Sequence, residues 1–242
     1  MPHGAPDDSD VVKAGDAYRL DDMAELAARL GSPVTFNRMG DVVWMDTFAG
    51  GVNGWKESIT GTDIAIEIRN THFLTDGLAC AIETNEAYPA NGTIFRSFPY
   101  YADTRIGFSA TYSCYKHGST VVFEIYVYDG VTALWGVVFI DHRSGDVTYL
   151  DDTGAYAPLC SLGQLGESGE IWYPTKLVID AGTHEYVGLY HGSTYQSMAG
   201  LALYAYASVQ AAHVVAGLSL HAASATEHIL YVDSAVYTVN EY

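Results

Sequence analysis

Short apolar runs separated by turn residues fill the sequence from residue 34 to its end, and this pattern constrains the fold most strongly. Residues 123–128 alternate strictly between apolar side chains and Glu or Tyr, which is typical of a strand with one buried face. The predicted strands cover residues 42–45, 64–68, 105–112, 121–128, 134–141, 147–150, 176–180, 185–190, 201–206, 214–221 and 228–238. These strands, with no helical pattern between them, predict an antiparallel sandwich, and 155–174 is predicted to be a loop.

The N-terminal segment has a different pattern. Apolar residues recur at helical spacing over 20–30, and Gly31 followed by Pro33 provides a stop signal, so we expect a short helix there. A helix of this length needs a surface to pack on, either its own domain or a neighbouring subunit. The predicted organisation is an arm with a short helix at 1–34 and a sandwich at 35–242.

Several segments resemble known modules. The opening segment 46–55 has the order acid, Phe, a Gly/Asn-rich turn and Trp, and 229–238 forms a closing strand. Together with the strand–turn–strand runs at 134–150 and 172–190, they resemble jelly-roll modules of the concanavalin-like lectin and glucanase type and carbohydrate-binding modules. The resemblance spans about 42–240. It implies an all-β, antiparallel jelly-roll sandwich, here with a short N-terminal helix, in which the first and last strands lie side by side.

The same resemblance implies a structural calcium ion, because such modules often use one to join the opening loop to the closing strand. Asp46 and Asp233 are the residues at the matching positions. Carboxylate oxygens suit this cation. The alternative is that both acids are solvated at strand ends. No other cofactor is predicted.

Sequence motifs for catalysis are weak. Glycosidases need two carboxylates across the substrate, but Glu83 and Glu86 are three residues apart and face opposite sides of a strand. A turn signal separates Glu124 from Asp129. The cluster of Tyr, Lys and His at 112–117 is the only one that suits a polysaccharide lyase. We therefore expect a protein that is not an enzyme and has no catalytic residues.

The net charge argues against two classes of partner, and the aromatic residues suggest a third. The net charge of −18 opposes binding to nucleic-acid phosphates and to anionic membranes, so neither partner is expected. Aromatic side chains can provide contact surface for a glycan. The candidate glycan-binding residues are Trp55, Tyr100, Tyr101 and Trp172. The apolar strand around Trp135 favours a core position for that residue.

The first 16 residues show neither the basic nor the apolar region of a signal peptide, whereas the resembled modules mostly work outside cells. Both facts are consistent with a virion protein made in the host cytoplasm, such as a phage capsid decoration or tail-associated protein. Its partners would be other virion subunits, with homo-oligomers expected, and the sandwich would face outward. The first alternative is a carbohydrate-binding module that recognises a surface glycan, and the second is a polysaccharide hydrolase or lyase.

Overall fold

A computed structural model describes residues 40–75, 77–84, 90–102, 104–115, 119–166, 169–222 and 226–241. The predicted arm and helix at 1–34 lie outside these residues, and the division at residue 34 stays a prediction. The described strands are β1 (Asp41–Asp46), β2 (Lys56–Thr60), β3 (Ile64–Arg69), β4 (Ala79–Thr84), β5 (Asn91–Phe98), β6 (Arg105–Tyr115), β7 (Ser119–Tyr128), β8 (Thr132–Asp141), β9 (Asp146–Leu150), β10 (Tyr156–Ser161), β11 (Tyr173–Asp180), β12 (Glu185–His191), β13 (Thr194–Ser197), β14 (Tyr204–Ala207), β15 (His213–Ala222) and β16 (His228–Val239). In this part of the chain, no helix has the length and apolarity needed to cross a membrane.

The strands form two antiparallel sheets, which confirms the predicted all-β sandwich. The first sheet has the order β13-β12-β11-β6-β16-β4-β3, with β1 also paired to β16. The second has the order β10-β9-β8-β7-β15-β5-β2, with β14 also paired to β8. Strands distant in sequence are therefore neighbours in space, as in Greek-key and jelly-roll connections.

The first and last strands lie side by side, as the resemblance implied. Asp41 of β1 is opposite Val239 of β16, and Asp46 is opposite Ala235. The other half of β16 pairs with β4, and its far edge pairs with β6. A single long strand thus holds three neighbours in the first sheet.

The core lies between the sheets and follows from the alternation of side chains along each strand. Phe123 and Ile125 of β7 are fully buried, and they belong to one large apolar cluster with Phe108 and Ile179 of the first sheet. The alternation predicted for 123–128 is confirmed, because Glu124 and its alternate neighbours lie on the opposite, outer face.

Some strands were missed by the sequence pattern. β2 consists of Lys, Glu, Ser, Ile and Thr, and all five residues are exposed. β10 lies inside the segment 155–174, which the sequence predicted to be a loop. Both are edge strands held by pairing with β5 and β9. Their backbone hydrogen bonds, rather than an apolar pattern, define them as strands.

The opening motif owes its conformation to Asp46. Its Oδ1 accepts a hydrogen bond from the Phe48 backbone N–H at 2.8 Å, and its Oδ2 accepts one from Trp55 Nε1 at 3.0 Å. The Phe48 and Trp55 rings stack with centroids 5.5 Å apart, and both side chains are buried. Phe48 has φ of 60°, a left-handed conformation that costs energy for a non-glycine residue. The acid, Phe and Trp therefore act as one unit that fixes the loop after β1.

Two buried histidines form a polar cluster inside the sandwich. His142 Nε2 lies 3.1 Å from the Tyr112 hydroxyl, and His191 Nδ1 lies 2.7 Å from Thr175 Oγ1. The Tyr173 ring stacks on His191 at 5.1 Å. Burial lowers the pKa of His142 to about 3, with a contribution from His191, and burial lowers the pKa of His191 to about 4. Both imidazoles are therefore neutral in the folded protein near pH 7.

Removing the Asp46 carboxylate should destabilise the opening loop. In Asp46→Ala, the backbone N–H of Phe48 and the indole N–H of Trp55 both lose their acceptor. We therefore expect the free energy of unfolding to fall by about 2 kcal/mol. Urea denaturation of the variant and of the wild type measures this. The matched control is Asp152→Ala, an exposed acid in the turn after β9, which should change stability by less than about 0.5 kcal/mol. Equal effects of the two substitutions would contradict the structural role of Asp46.

The buried histidines should make stability depend on pH. Their folded-state pKa values lie below the unfolded value of about 6.5, so the unfolded chain binds more protons at acidic pH. The two histidines therefore do not change the free energy of unfolding above about pH 7, and they lower it increasingly as the pH falls from 6.5 towards 4. We expect a loss on the order of 2–3 kcal/mol per histidine at pH 4.

Denaturation of the wild type and of His191→Gln between pH 4 and 8 tests this dependence. The variant should lose less stability on acidification than the wild type, whereas the exposed control His184→Asn should follow the wild type. Parallel curves for the wild type and His191→Gln would show that His191 does not contribute to the pH dependence.

Candidate ligand-binding cleft

A cleft of about 390 Å³ lies on the outer face of the second sheet. It crosses β2, β5, β15 and β7, and its volume is in the range typical of small-molecule sites. It combines aromatic, hydroxyl, amide and titratable side chains. The lining residues are Lys56, Ser58, Thr93, Phe95, Ser97, Glu124, Tyr126, Tyr128, Gln210, His213, Val215 and Gly217.

Strand register places the lining residues in rows across the sheet. In the central row, Lys56 is opposite Phe95, Phe95 is opposite Gly217, and Gly217 is opposite Glu124. Residues directly opposite in antiparallel strands share a face. Three strand spacings separate the two ends of the row, so Lys56 and Glu124 have backbones about 14 Å apart.

Gly217 leaves the middle of this row open. A Cβ at this position would lie 2.8 Å from Phe95 Cβ and 2.8 Å from the Ile94 carbonyl oxygen, so no other residue fits without movement. Without a side chain at Gly217, the row has no side chain between Phe95 and Glu124, and the centre of the cleft stays open.

Stacked aromatic rings form a band along one side of the cleft. The His213 ring stacks on Tyr128 with centroids 4.6 Å apart, and Tyr128 is parallel to Tyr126 at 6.2 Å. Tyr126 in turn stacks on Trp135 at 4.8 Å, and Trp135 contacts Tyr204 at 6.4 Å. Trp135 is half-buried on the outer face, so its expected core position is wrong. Within the band, Tyr126 and His213 are half-buried and accessible to a ligand, whereas Tyr128 is buried between them.

The Glu124 carboxyl is largely removed from water at the floor of the cleft. Its Oε1 accepts a hydrogen bond from Ser219 Oγ at 2.8 Å, and its Oε2 accepts one from the Tyr126 hydroxyl at 3.1 Å. Because the Ser219 proton goes to Glu124, Thr93 Oγ1 is the donor in its 2.8 Å hydrogen bond with Ser219. Burial raises the pKa of Glu124, and the hydrogen bonds from Ser219 and Tyr126 offset part of that rise.

The cleft tyrosines keep their hydroxyl protons at neutral pH. Burial raises the pKa of Tyr128 to about 12, with a further contribution from Tyr206. Burial and the neighbouring charge of Glu124 raise the pKa of Tyr126 well above its usual value. Both side chains are therefore phenols rather than phenolates, and the Tyr126 hydroxyl, whose proton is donated to Glu124, can still accept a hydrogen bond through its oxygen.

The structure places the predicted glycan-binding residues outside this cleft. Trp55 is only 8% exposed and donates to Asp46, so its ring is part of the core and presents no exposed platform. Tyr100 and Tyr101 are half-buried and pack against the core. Trp172 is half-buried and stacks on His72 at 5.2 Å. The structure therefore does not bring these four residues together at one surface.

The two predicted calcium ligands each bind a loop of the protein itself. Asp46 holds the opening loop, as described above. Asp233 is fully buried, and its Oδ1 accepts hydrogen bonds from the Leu74 and Thr75 backbone N–H groups at 2.7 and 2.9 Å. Its Oδ2 accepts one from Thr75 Oγ1 at 2.8 Å. The described residues contain no group of three or more His, Cys, Asp or Glu side chains suited to a metal ion.

The sequence contained one signal for the cleft. The alternation along 123–128 predicts that Glu124, Tyr126 and Tyr128 share one face, but it assigns none of them to a ligand site. Phe95 and Lys56 carried no signal, because β2 and β5 were not predicted as strands. Their position beside Glu124 depends on pairing with β15.

Comparisons with known proteins agree with this fold. No family model matches the chain, and no curated protein matches it in sequence. A Bacillus subtilis protein with a galectin-like fold is similar, with a TM-score of 0.53 and 11% identity over 84% of this chain and 99% of that one. Lectin II from Ulex europaeus has a TM-score of 0.52 and 10% identity over 83% of this chain and 100% of that one.

A conserved carbohydrate esterase from the Shiga toxin-encoding bacteriophage phi24B is also similar. Its TM-score is 0.51 and its identity 12%, over 84% of this chain and 100% of that one. At these identities the likeness concerns the fold alone. The chain therefore has the concanavalin-like β-sandwich fold that its sequence resembled.

Proposed function

We propose that this protein is a carbohydrate-binding module that holds a glycan in the cleft on the outer face of the second sheet. The observation that carries the proposal is the set of half-buried rings of Phe95, Tyr126 and His213 beside hydroxyl and carboxyl groups in one cleft of about 390 Å³. Sugars present both apolar ring faces and hydroxyls, so a site for them needs flat rings and hydrogen-bonding groups side by side. The lectin-like fold supports the same class of ligand.

We propose binding rather than hydrolysis. Both glycosidase mechanisms use a pair of carboxyl groups that flank the scissile bond. Among the described residues that line the cleft, Glu124 is the only one with a carboxyl group. The predicted lyase cluster does not provide an alternative site in the described residues, since Tyr112 is fully buried and Tyr115 lies on the opposite face of the sheet.

A role as a virion subunit stays a second proposal. It is supported by the bacteriophage origin of the similar carbohydrate esterase. On a phage particle, a module of this kind would face outward and read a glycan on the host surface, while other virion subunits or further copies of the chain would hold it. The two proposals are compatible, because one concerns the cleft and the other concerns where the protein resides.

The aromatic rings of the cleft should be required for glycan binding. On a glycan array, we expect the wild type to bind a restricted set of glycans, and we expect Phe95→Ala and Tyr126→Ala each to weaken that binding at least tenfold. A tenfold loss corresponds to about 1.4 kcal/mol. Thermal unfolding of each variant verifies that it remains folded.

The matched control is Tyr195→Ala on β13. Tyr195 is 50% exposed and lies on the other sheet, so its removal should leave the array pattern unchanged. The proposal is wrong if the wild type binds no glycan, or if folded Phe95→Ala and Tyr126→Ala variants bind as the wild type does.

A further inference from the structure

The charges of the cleft differ from those of the whole protein. The chain has a net charge of −18, whereas Lys56 is the only Lys or Arg among the cleft-lining residues. Three of the other described basic side chains are paired with acids: Arg69 with Glu67 and Glu83, Arg105 with Asp180, and Lys176 with Glu241. The remaining two lie outside the cleft: Arg96 lies over the Trp44 ring, and Arg143 is exposed in the turn after β8. Lys56 has no ion-pair partner among the described residues and is exposed at the end of the central row.

Glu124, the acid at the other end of the row, is too far from Lys56 to form an ion pair with it. The Glu124 carboxyl is hydrogen-bonded by two neutral hydroxyls, from Ser219 and Tyr126, and no basic side chain is paired with it in the described residues. Burial in such neutral surroundings disfavours the ionised form and raises the pKa of this carboxyl. Glu124 therefore keeps its proton to higher pH than an exposed carboxyl does, and in that form it leaves Lys56 as the charged group of the row.

We propose that the cleft selects an acidic saccharide, whose carboxylate binds the Lys56 ammonium while its sugar ring lies over Phe95 and Gly217 and hydrogen-bonds to the Glu124 carboxyl. This inference rests on the proposed glycan binding and specifies its ligand class. The row is about 14 Å long, which suits one or two sugar units. Because the net charge of −18 opposes the approach of anions, an acidic ligand needs a local positive group such as Lys56.

Binding of an acidic saccharide should weaken as the pH rises, because ionised Glu124 adds a negative charge to the cleft and can no longer donate a proton. Other titratable groups face this region from the neighbouring strands and from β7 itself. They are Tyr126 and Tyr128 of β7, Tyr204 and Tyr206 of β14, His213 and His221 of β15, and Lys56 of β2. Replacing Glu124 alone separates its contribution from theirs.

The test uses pairs of probes that differ only in charge. Oligosaccharides of galacturonate, glucuronate, mannuronate and sialic acid are compared with their carboxyl-reduced forms, in which each carboxylate is converted to a neutral hydroxymethyl group. Titration calorimetry with the full chain at pH 6 measures the affinities. At least one acidic probe should bind five-fold or more tightly than its reduced form.

Charge-removing variants then locate the effect. Lys56→Gln should lower the affinity for the acidic probe at least five-fold and leave the affinity for the reduced probe unchanged. The matched control is Arg143→Gln, which removes the same charge from the exposed turn after β8, outside the cleft, and should bind as the wild type does. An equal loss in both variants would show that net charge, and not Lys56, determines the affinity.

The role of Glu124 is tested with Glu124→Gln, which keeps a neutral side chain at every pH. Between pH 5 and 9, wild-type affinity should fall more steeply than that of the variant. Identical pH profiles would overturn the role assigned to the protonated carboxyl. Thermal unfolding provides a second measurement that needs no glycan: the variant should gain stability relative to the wild type as the pH rises through the raised pKa of Glu124.

The two proposals fail in different ways. If array glycans bind but acidic probes bind no better than their reduced forms, the selection of acidic saccharides is wrong and glycan binding stands. If neither the array nor any probe gives binding, the proposed function itself is wrong.

Discussion

Backbone hydrogen bonds from β15 to its neighbours β5 and β7 hold the cleft in place. Eight residues of β5 and ten of β7 are in register with β15, and this register aligns the row from Lys56 to Glu124. A slip of one residue would turn every side chain of a strand to the opposite face. The apolar inner face prevents such a slip, because it would bring Glu124 and Tyr126 into the core. Core packing on one face of the sheet therefore fixes the geometry of the cleft on the other.

The buried carboxyl of Glu124 lowers the stability of the fold, as groups at binding sites often do. A carboxyl that is largely removed from water and surrounded by neutral groups lowers stability when it ionises, and an apolar residue at the same position would avoid that cost. Ser219 and Tyr126 reduce the cost by donating hydrogen bonds. Groups with pKa values shifted by burial are common at functional sites. The position of Glu124 in a cleft is therefore consistent with a role in ligand binding.

Other buried polar groups have structural roles. Asp46 and Asp233 accept hydrogen bonds from loop backbone and side-chain donors, and so they fix the segments after β1 and β3. His142 and His191 remain neutral because burial lowers their pKa values, and their ring nitrogens bond to Tyr112 and Thr175. These residues lie away from the cleft residues, so stability and ligand binding can be changed separately by substitution.

The sequence by itself determined the class of fold. Alternation along 123–128 predicted a half-buried strand, and turn signals between apolar runs predicted an antiparallel sandwich. The similarity of 46–55 and 229–238 to known modules predicted that the first and last strands are neighbours. These features are local in sequence, or belong to short motifs, so they can be read without knowing the rest of the fold.

Only the tertiary structure decided which residues form the cleft. Lys56, Phe95, Gly217 and Glu124 are far apart in sequence, and pairing of four strands brings them into one row. The presence of an aromatic residue did not predict whether it is exposed. Trp55 packs in the core against Phe48 and donates its indole N–H to Asp46, whereas Trp135 reaches the outer face through the register of β8. Burial and cross-strand neighbours depend on long-range packing, which the local sequence pattern does not contain.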